Sequence, residues 1–141
     1  MNRPADQGVL DTWAVIDLSV LDPGSLPAEP LITAVTLAEL SVGPLVARTN
    51  RDRAVRQAHL QQAEADFEPI PFDAAAARSF GAVSSSLRAQ GRKATARAYD
   101  AMIAATAMSR GLPVYTANPD DFAGIEGLDV RVVTYSPLDK T

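Results

Sequence analysis

Asp100 stands at the head of an apolar, alanine-rich stretch, AMIAATAMS, and the segment that follows ends in Thr116, Asn118, Asp120 and Asp121. Two more acids, Asp11 and Glu39, come directly after the first and second apolar segments. Side chains of these types support acid–base work and the coordination of hard cations. The rest of the inventory narrows the chemistry. There is no Cys, so thiolate metal sites and disulfides are excluded. The one His, His59, lies among Gln and Ala in a helical stretch and reads as a surface or interface residue, which argues against a Ser-His-Asp or Cys-His hydrolase. Carboxylates brought together without a counterion repel one another, so one protonates or a cation binds. With oxygen ligands alone the natural cation is Mg²⁺ or Mn²⁺. Such ions, completed by water and substrate oxygens, suit phosphodiester hydrolysis.

Whether these residues meet depends on the elements that carry them. GVL (8–10) reads as a short buried strand, with Asp11-Thr12 opening a helix. The three prolines and glycine of 21–30 mark a loop, and LITAV (31–35) a second strand. Residues 36–47 read as a helix interrupted at Gly43-Pro44, and 51–67 as another. EPIPF (68–72) is extended and suits a sheet edge, because its prolines cannot donate ladder hydrogen bonds. Asp73 caps a helix over 74–89 that Gly91 ends. Beyond Asp100, residues Ile103, Ala104, Ala107 and Met108 share one helical face, and Gly111 ends that helix. LPVYT (112–116) and LDVRVVTY (128–135) complete the strands. Alternating strands and helices predict a three-layer α/β/α sandwich with a mostly parallel sheet of four or five strands. In such a sheet all strands end at the edge where open α/β folds bind ligands. Asp11, Glu39, Asp100, Thr116, Asn118 and Asp121 all fall at that edge.

Each of these residues also has a structural reading. Asp11 can cap a helix, and Glu39 can complete a capping box with Thr36. Asp100 suits the start of a helix dipole, and Asn118 and Asp121 are turn formers. The net charge of −4 argues against nonspecific nucleic-acid binding by charge alone. Yet eight of the thirteen Lys and Arg fall in two segments: Arg48, Arg51, Arg53 and Arg56, then Arg88, Arg92, Lys93 and Arg97. The second contains no acid, ends beside Asp100, and could hold a polyanion's backbone there or be a solvated helix end.

The 141 residues suit one domain, 1–141, with residues 1–7 as a polar tail that does not resemble a signal peptide. No apolar run reaches the length of a membrane span. A chain without Cys suits a reducing cytoplasm.

VLDT (9–12), TLAEL (36–40), DAMIAATA (100–107) and TANPDDF (116–122) together resemble the PIN domain, and closely the VapC-type ribonuclease toxins of bacterial toxin–antitoxin pairs. The resemblance runs from Val9 to about Tyr135 in the family's order. It implies the same sandwich and a metal-dependent endonucleolytic cleavage of RNA, with transfer or ribosomal RNA as usual targets. Carried over by position, Asp11, Glu39 and Asp100 form the acidic triad. Asp11 and Asp100 would be the main Mg²⁺ or Mn²⁺ ligands, Glu39 a direct or water-mediated one, and Thr116 would position water or a ligand. Two residues depart from the pattern. Trp13 replaces a usual Ser or Asn, and Asn118 stands where the family has a fourth acid, which Asp121 could replace. The resemblance also implies a homodimer and a cognate antitoxin, with helices 36–47 and 51–67 as candidate surfaces. The rival is a PIN-like module that binds RNA or a partner and cleaves poorly. A phosphoacceptor receiver domain is set aside, since strand one is followed by a lone Asp and Lys140 lies in the tail.

Overall fold

The computed structural model describes residues 6–92 and 97–137. Four parallel strands form the sheet: β1 (Gln7–Leu10), β2 (Glu29–Leu31), β3 (Val114–Thr116) and β4 (Val130–Val132), in the order β2-β1-β3-β4. Five helices surround it: α1 (Thr12–Ile16), α2 (Ala34–Val46), α3 (Asn50–Asp66), α4 (Ala74–Ala89) and α5 (Ala98–Ser109).

The two-residue period of a strand decides which side each core residue joins. In β1, Val9 packs with α4 and α5 through Val83, Leu87, Ile103 and Ala104, whereas Leu10 faces Ala14, Leu21 and Val133 on the other side. Val114 and Tyr115 divide the same way in β3. Both faces of the sheet are thus covered, as the α/β/α reading expects. Helix α5 is buried more completely than one apolar face requires: Ala101, Ala105 and Thr106 are as inaccessible as Ile103, Ala104 and Ala107. It lies between the sheet and α4, and its small side chains admit both neighbours closely.

Gly8 is required by packing. A Cβ there would meet the Tyr115 ring at 2.2 Å. The Arg131 guanidinium sits 5.9 Å from the centre of the same ring, and its Nη1 donates to the Tyr115 hydroxyl.

Several boundaries differ from the sequence reading. The second strand is Glu29–Leu31 rather than 31–35, because Thr33 caps α2 by accepting from the Thr36 amide, which draws Ala34 and Val35 into the helix. The Thr36–Glu39 capping box is therefore absent. Helix α2 runs through Gly43-Pro44 and stops at Val46. The expected edge strand at 68–72 is reduced to one parallel bridge between Ile70 and Thr33, since Pro69 and Pro71 leave little else to pair. The last strand is Val130–Val132 rather than 128–135. Beyond it the chain turns against residues 20–22, with Asp22 N donating to Thr134 O and Ser136 N to Val20 O. The expected tail at 1–7 falls partly outside the described residues, and Gln7 already belongs to β1.

Candidate active site

Strand β1 ends by presenting Asp11, which is only 5% exposed. Its Oδ1 accepts from the Ala14 amide at 2.9 Å, capping α1, and its Oδ2 accepts from Thr116 Oγ1 at 2.6 Å. The same Thr116 oxygen accepts from the Asn118 amide at 2.9 Å. A single hydroxyl at the end of β3 therefore orients the Asp11 carboxylate and fixes the turn that follows. Thr12 Oγ1 donates to Glu39 Oε1 at 2.6 Å and lies 3.0 Å from Thr36 Oγ1, linking α1 to α2. Asp100 is in the first turn of α5, and Arg97, just before that helix, pairs with Asp121 Oδ1. Asp121 belongs to a 3₁₀ turn, Pro119–Phe122, whose buried Phe122 anchors it to the core.

These elements converge on one cleft of about 510 Å³, into which Asp11, Glu39, Asp100 and Asp121 all look, with Arg97 as its one cationic wall residue among those described. Of the six residues expected at the rim, Asp11, Glu39, Asp100 and Asp121 line the cleft, whereas Thr116 stands behind Asp11 and Asn118 follows Thr116. Asn118 does not line the cleft; its described polar contacts are made by its backbone, the amide donating to Thr116 Oγ1 and the carbonyl accepting from the Asp121 amide. Asp121, three residues on, does line it. Trp13 leaves both Asp11 hydrogen bonds in place and stands on the rim, 61% exposed.

Charge crowding is visible in the acids. Asp100 is pushed up to about 6, first by burial and then by Asp121, Glu39 and Asp11, with Arg97 opposing. Burial also raises Asp11, against the hydrogen bonds from Thr116 and Ala14. Glu39 is raised by burial, with the Thr12 hydroxyl opposing and Asp11 adding to the rise. Four carboxylates facing one cationic side chain leave the cleft short of positive charge.

The donor set fits a hard divalent cation: the ionisable groups of the cleft wall are carboxylates and one arginine, with no His. Asp11, Asp100, Glu39 and Asp121 are the residues that could hold it. Among the described residues no three acids form a ready-made cage. Three of these four acids already have a partner: Thr116 holds Asp11, Thr12 holds Glu39, and Arg97 holds Asp121.

The basic segment divides. Arg97 lines the cleft. Arg92 donates to the carbonyls of Asp120 and Ala123, bracing the turn that carries Asp121. Arg88 is exposed in the last turn of α4, and Lys93 lies outside the described residues. In the other basic segment, Arg53 and Arg56 donate to the carbonyls of Pro44 and Gly43, the C-terminal end of α2. Sequence reasoning missed these structural uses of arginine, and it missed Tyr99, which lines the cleft beside Asp100. Its one signal was an aromatic residue at a helix start.

Fold and site together define a carboxylate-cleft α/β domain, and the PIN domain family model matches residues 9–128. The chain belongs to the PIN domain family. Over 130 residues it is 44% identical to Ribonuclease VapC5 of Mycobacterium tuberculosis, which spans 90% of this chain and 93% of that protein. Ribonuclease VapC4 of the same organism is 34% identical over 103 residues, 73% of this chain and 75% of that protein. Among solved structures the chain is similar to VapBC-5 from Mycobacterium tuberculosis, a member of the VapBC family of toxin–antitoxin systems. The TM-score is 0.78 and the identity 43%, covering 90% of this chain and 97% of that one. No helix among the described residues is long and apolar enough to cross a membrane.

Proposed function

We propose that the chain is a VapC-type endoribonuclease toxin that hydrolyses RNA phosphodiester bonds with Mg²⁺ or Mn²⁺ and is held inactive by a cognate antitoxin. The observation that carries the reading is the convergence of Asp11, Glu39, Asp100 and Asp121 from four separate segments on one cleft. The relatives named as ribonucleases and the toxin–antitoxin structure support it.

Bound among these carboxylates, a divalent cation supplies activation of water and neutralisation of phosphate charge. The chain's own residues do the positioning. Thr116 and the Ala14 amide aim the two oxygens of Asp11, and Thr12 aims Glu39. Asp100, crowded by burial and by Asp121, Glu39 and Asp11, is a carboxyl whose charge a bound cation would relieve. Arg97 offers its guanidinium to a phosphate when it parts from Asp121. Hydrolysis adds water across the P–O bond, and the departing oxygen takes a proton.

The substrate is expected to be transfer or ribosomal RNA. The exposed apolar residues Val42, Leu45, Val46 and Val55 on α2 and α3 are the candidate surface for self-association or antitoxin contact. The weakly cleaving alternative rested on Trp13 and Asn118. Asp121 in the cleft supplies the fourth charge that Asn118 lacks, which favours the active reading. Cleavage of structured RNA by the purified chain with Mn²⁺, its loss in EDTA, and its loss in Asp100→Asn test the proposal. RNA left intact by the wild-type chain across Mg²⁺ and Mn²⁺ would sink it.

A further inference from the structure

Two aromatic rings stand on the rim of the carboxylate cleft with most of their surface in water. Trp13, in α1, is 61% exposed, and Tyr99, in α5, is 51% exposed. Both line the cleft. Phe122 is buried in the core and Tyr115 fills the space above Gly8, while the exposed Phe72 and Tyr135 lie outside the cleft and have partners, Phe72 in an edge contact with Phe80 and Tyr135 donating its hydroxyl to Asp17 Oδ2. Neither rim ring makes a ring contact, a cation–π contact or a side-chain hydrogen bond with a described residue. Each is also a close sequence neighbour of a cleft acid: Trp13 follows Asp11 by two residues, and Tyr99 directly precedes Asp100. A phosphodiester held at the carboxylates necessarily brings one base to each side of it. Rings from α1 and α5 are at hand for both.

We propose that Trp13 and Tyr99 are stacking platforms for the unpaired bases that flank the bound phosphate. The proposal rests on the ribonuclease reading above and adds how that site selects its substrate. A base within a duplex already has both faces covered, so its face becomes available to a side chain only when it is unpaired. Stacking is tolerant of base identity because every base has a π-face. The two rings therefore select for unpaired nucleotides at the cut and leave sequence choice to other contacts. Trp13 also lines an adjoining groove, with Ile16, Leu40 and Val55 as its apolar side chains and Glu39, Arg56 and His59 as its ionisable ones, so its ring stands between the two hollows. A base with a polar edge and an apolar face matches that mixed lining.

Trp13 is the only tryptophan of the chain, so its emission reports on its own environment. The full chain is titrated with a short single-stranded 2′-O-methyl oligonucleotide and with the same strand in a duplex. Binding is followed in parallel by the anisotropy of a dye on the strand. Saturable quenching by the single strand and little by the duplex is expected. Trp13→Ala and Tyr99→Ala should each weaken single-strand binding about 5- to 150-fold. Both variants should raise KM more than they lower kcat and leave the slope of log K against log salt unchanged, because no phosphate contact is lost. Trp13→Phe and Tyr99→Phe should retain most of the binding. An oligonucleotide that binds without changing Trp13 emission, or alanine variants with wild-type KM, would overturn the stacking role while the ribonuclease reading stands. An emission change brought by the antitoxin and not by the oligonucleotide would overturn it in favour of a protein contact. A wild-type chain that cuts no RNA with Mn²⁺ would remove both.

Discussion

Replacing Asp100 by Asn should stabilise the cation-free protein at neutral pH. The carboxyl is raised from 3.8 to about 6 by burial and by Asp121, Glu39 and Asp11. A rise of that size corresponds to about 3 kcal/mol of unfavourable free energy for carrying the charge in the folded state above pH 6. Asp100 is partly open to water, and screening reduces that figure. The negative charge in the first turn of α5 also contributes about 0.3–1 kcal/mol through the helix dipole, which Asn forfeits. A net gain of about 1–2 kcal/mol is expected, or roughly 3–6 °C in Tm for a chain of this size. Because the folded state holds this proton more tightly than the unfolded one, stability falls as pH rises from about 4 to 6, then stays level. The advantage of Asp100→Asn should therefore have largely gone by about pH 4, where the folded wild type is protonated and the unfolded chain is nearly half so. Thermal melts of both proteins in EDTA at pH 4, 5 and 7.5 measure this. Saturating Mn²⁺ should reverse the order, since a cation at 100 times its Kd adds about 2.7 kcal/mol to the protein that binds it. An Asn variant that melts below wild type in EDTA at pH 7.5 would refute the crowding argument.

Glu39→Gln should change stability by less than about 1 kcal/mol, since the amide oxygen can still accept from Thr12 and Thr33 caps the helix, yet RNA cleavage should drop sharply. Thr116→Val removes the partner of Asp11 Oδ2 and of the Asn118 amide; a loss of about 1–3 kcal/mol in urea unfolding is expected, together with reduced activity. Asp121→Asn should raise the Mn²⁺ concentration needed for half-maximal cleavage, whereas Asn118→Asp should leave it unchanged, and the opposite ranking would exchange their places in the site. Arg88→Gln should flatten the salt dependence of RNA binding by about 0.7 in slope if it meets one phosphate. Arg92→Gln should instead appear as about 1 kcal/mol in melting, because its guanidinium braces the carbonyls of Asp120 and Ala123.

The alternation of apolar segments with helix formers was enough to read the α/β sandwich and to bring Asp11, Glu39 and Asp100 to one edge. Those inferences depend on period and order, which sequence carries directly. The misplaced details depend on which side chain reaches which partner. Thr33 and Thr36 are equally good helix caps by type, and only the Ile70 bridge beside Thr33 decides between them. Asn118 and Asp121 are both ordinary turn residues; the 3₁₀ turn anchored by Phe122 rotates Asp121 toward Arg97 and the cleft. Arginines clustered in sequence read as a single patch, but carbonyls at the end of α2 and in the 119–122 turn claim three of them for structural work.

The hydroxyl of Thr116 that holds Asp11 has a consequence for biosynthesis. The two residues are separated by 105 positions, and β1 receives its neighbour β3 only from residues 114–116. A ribosome-bound chain ending at Arg110 would already contain Asp11, Glu39 and Asp100 together with helices α1 to α5. It would lack the strand that fills the middle of the sheet and the turn that delivers Asp121. At about 5–20 residues per second, the first and last contributors to the cleft leave the ribosome several seconds apart. The cleft therefore assembles only after residues 114–121 have emerged, and a chain cut short before them carries the acids without the geometry that would let them act.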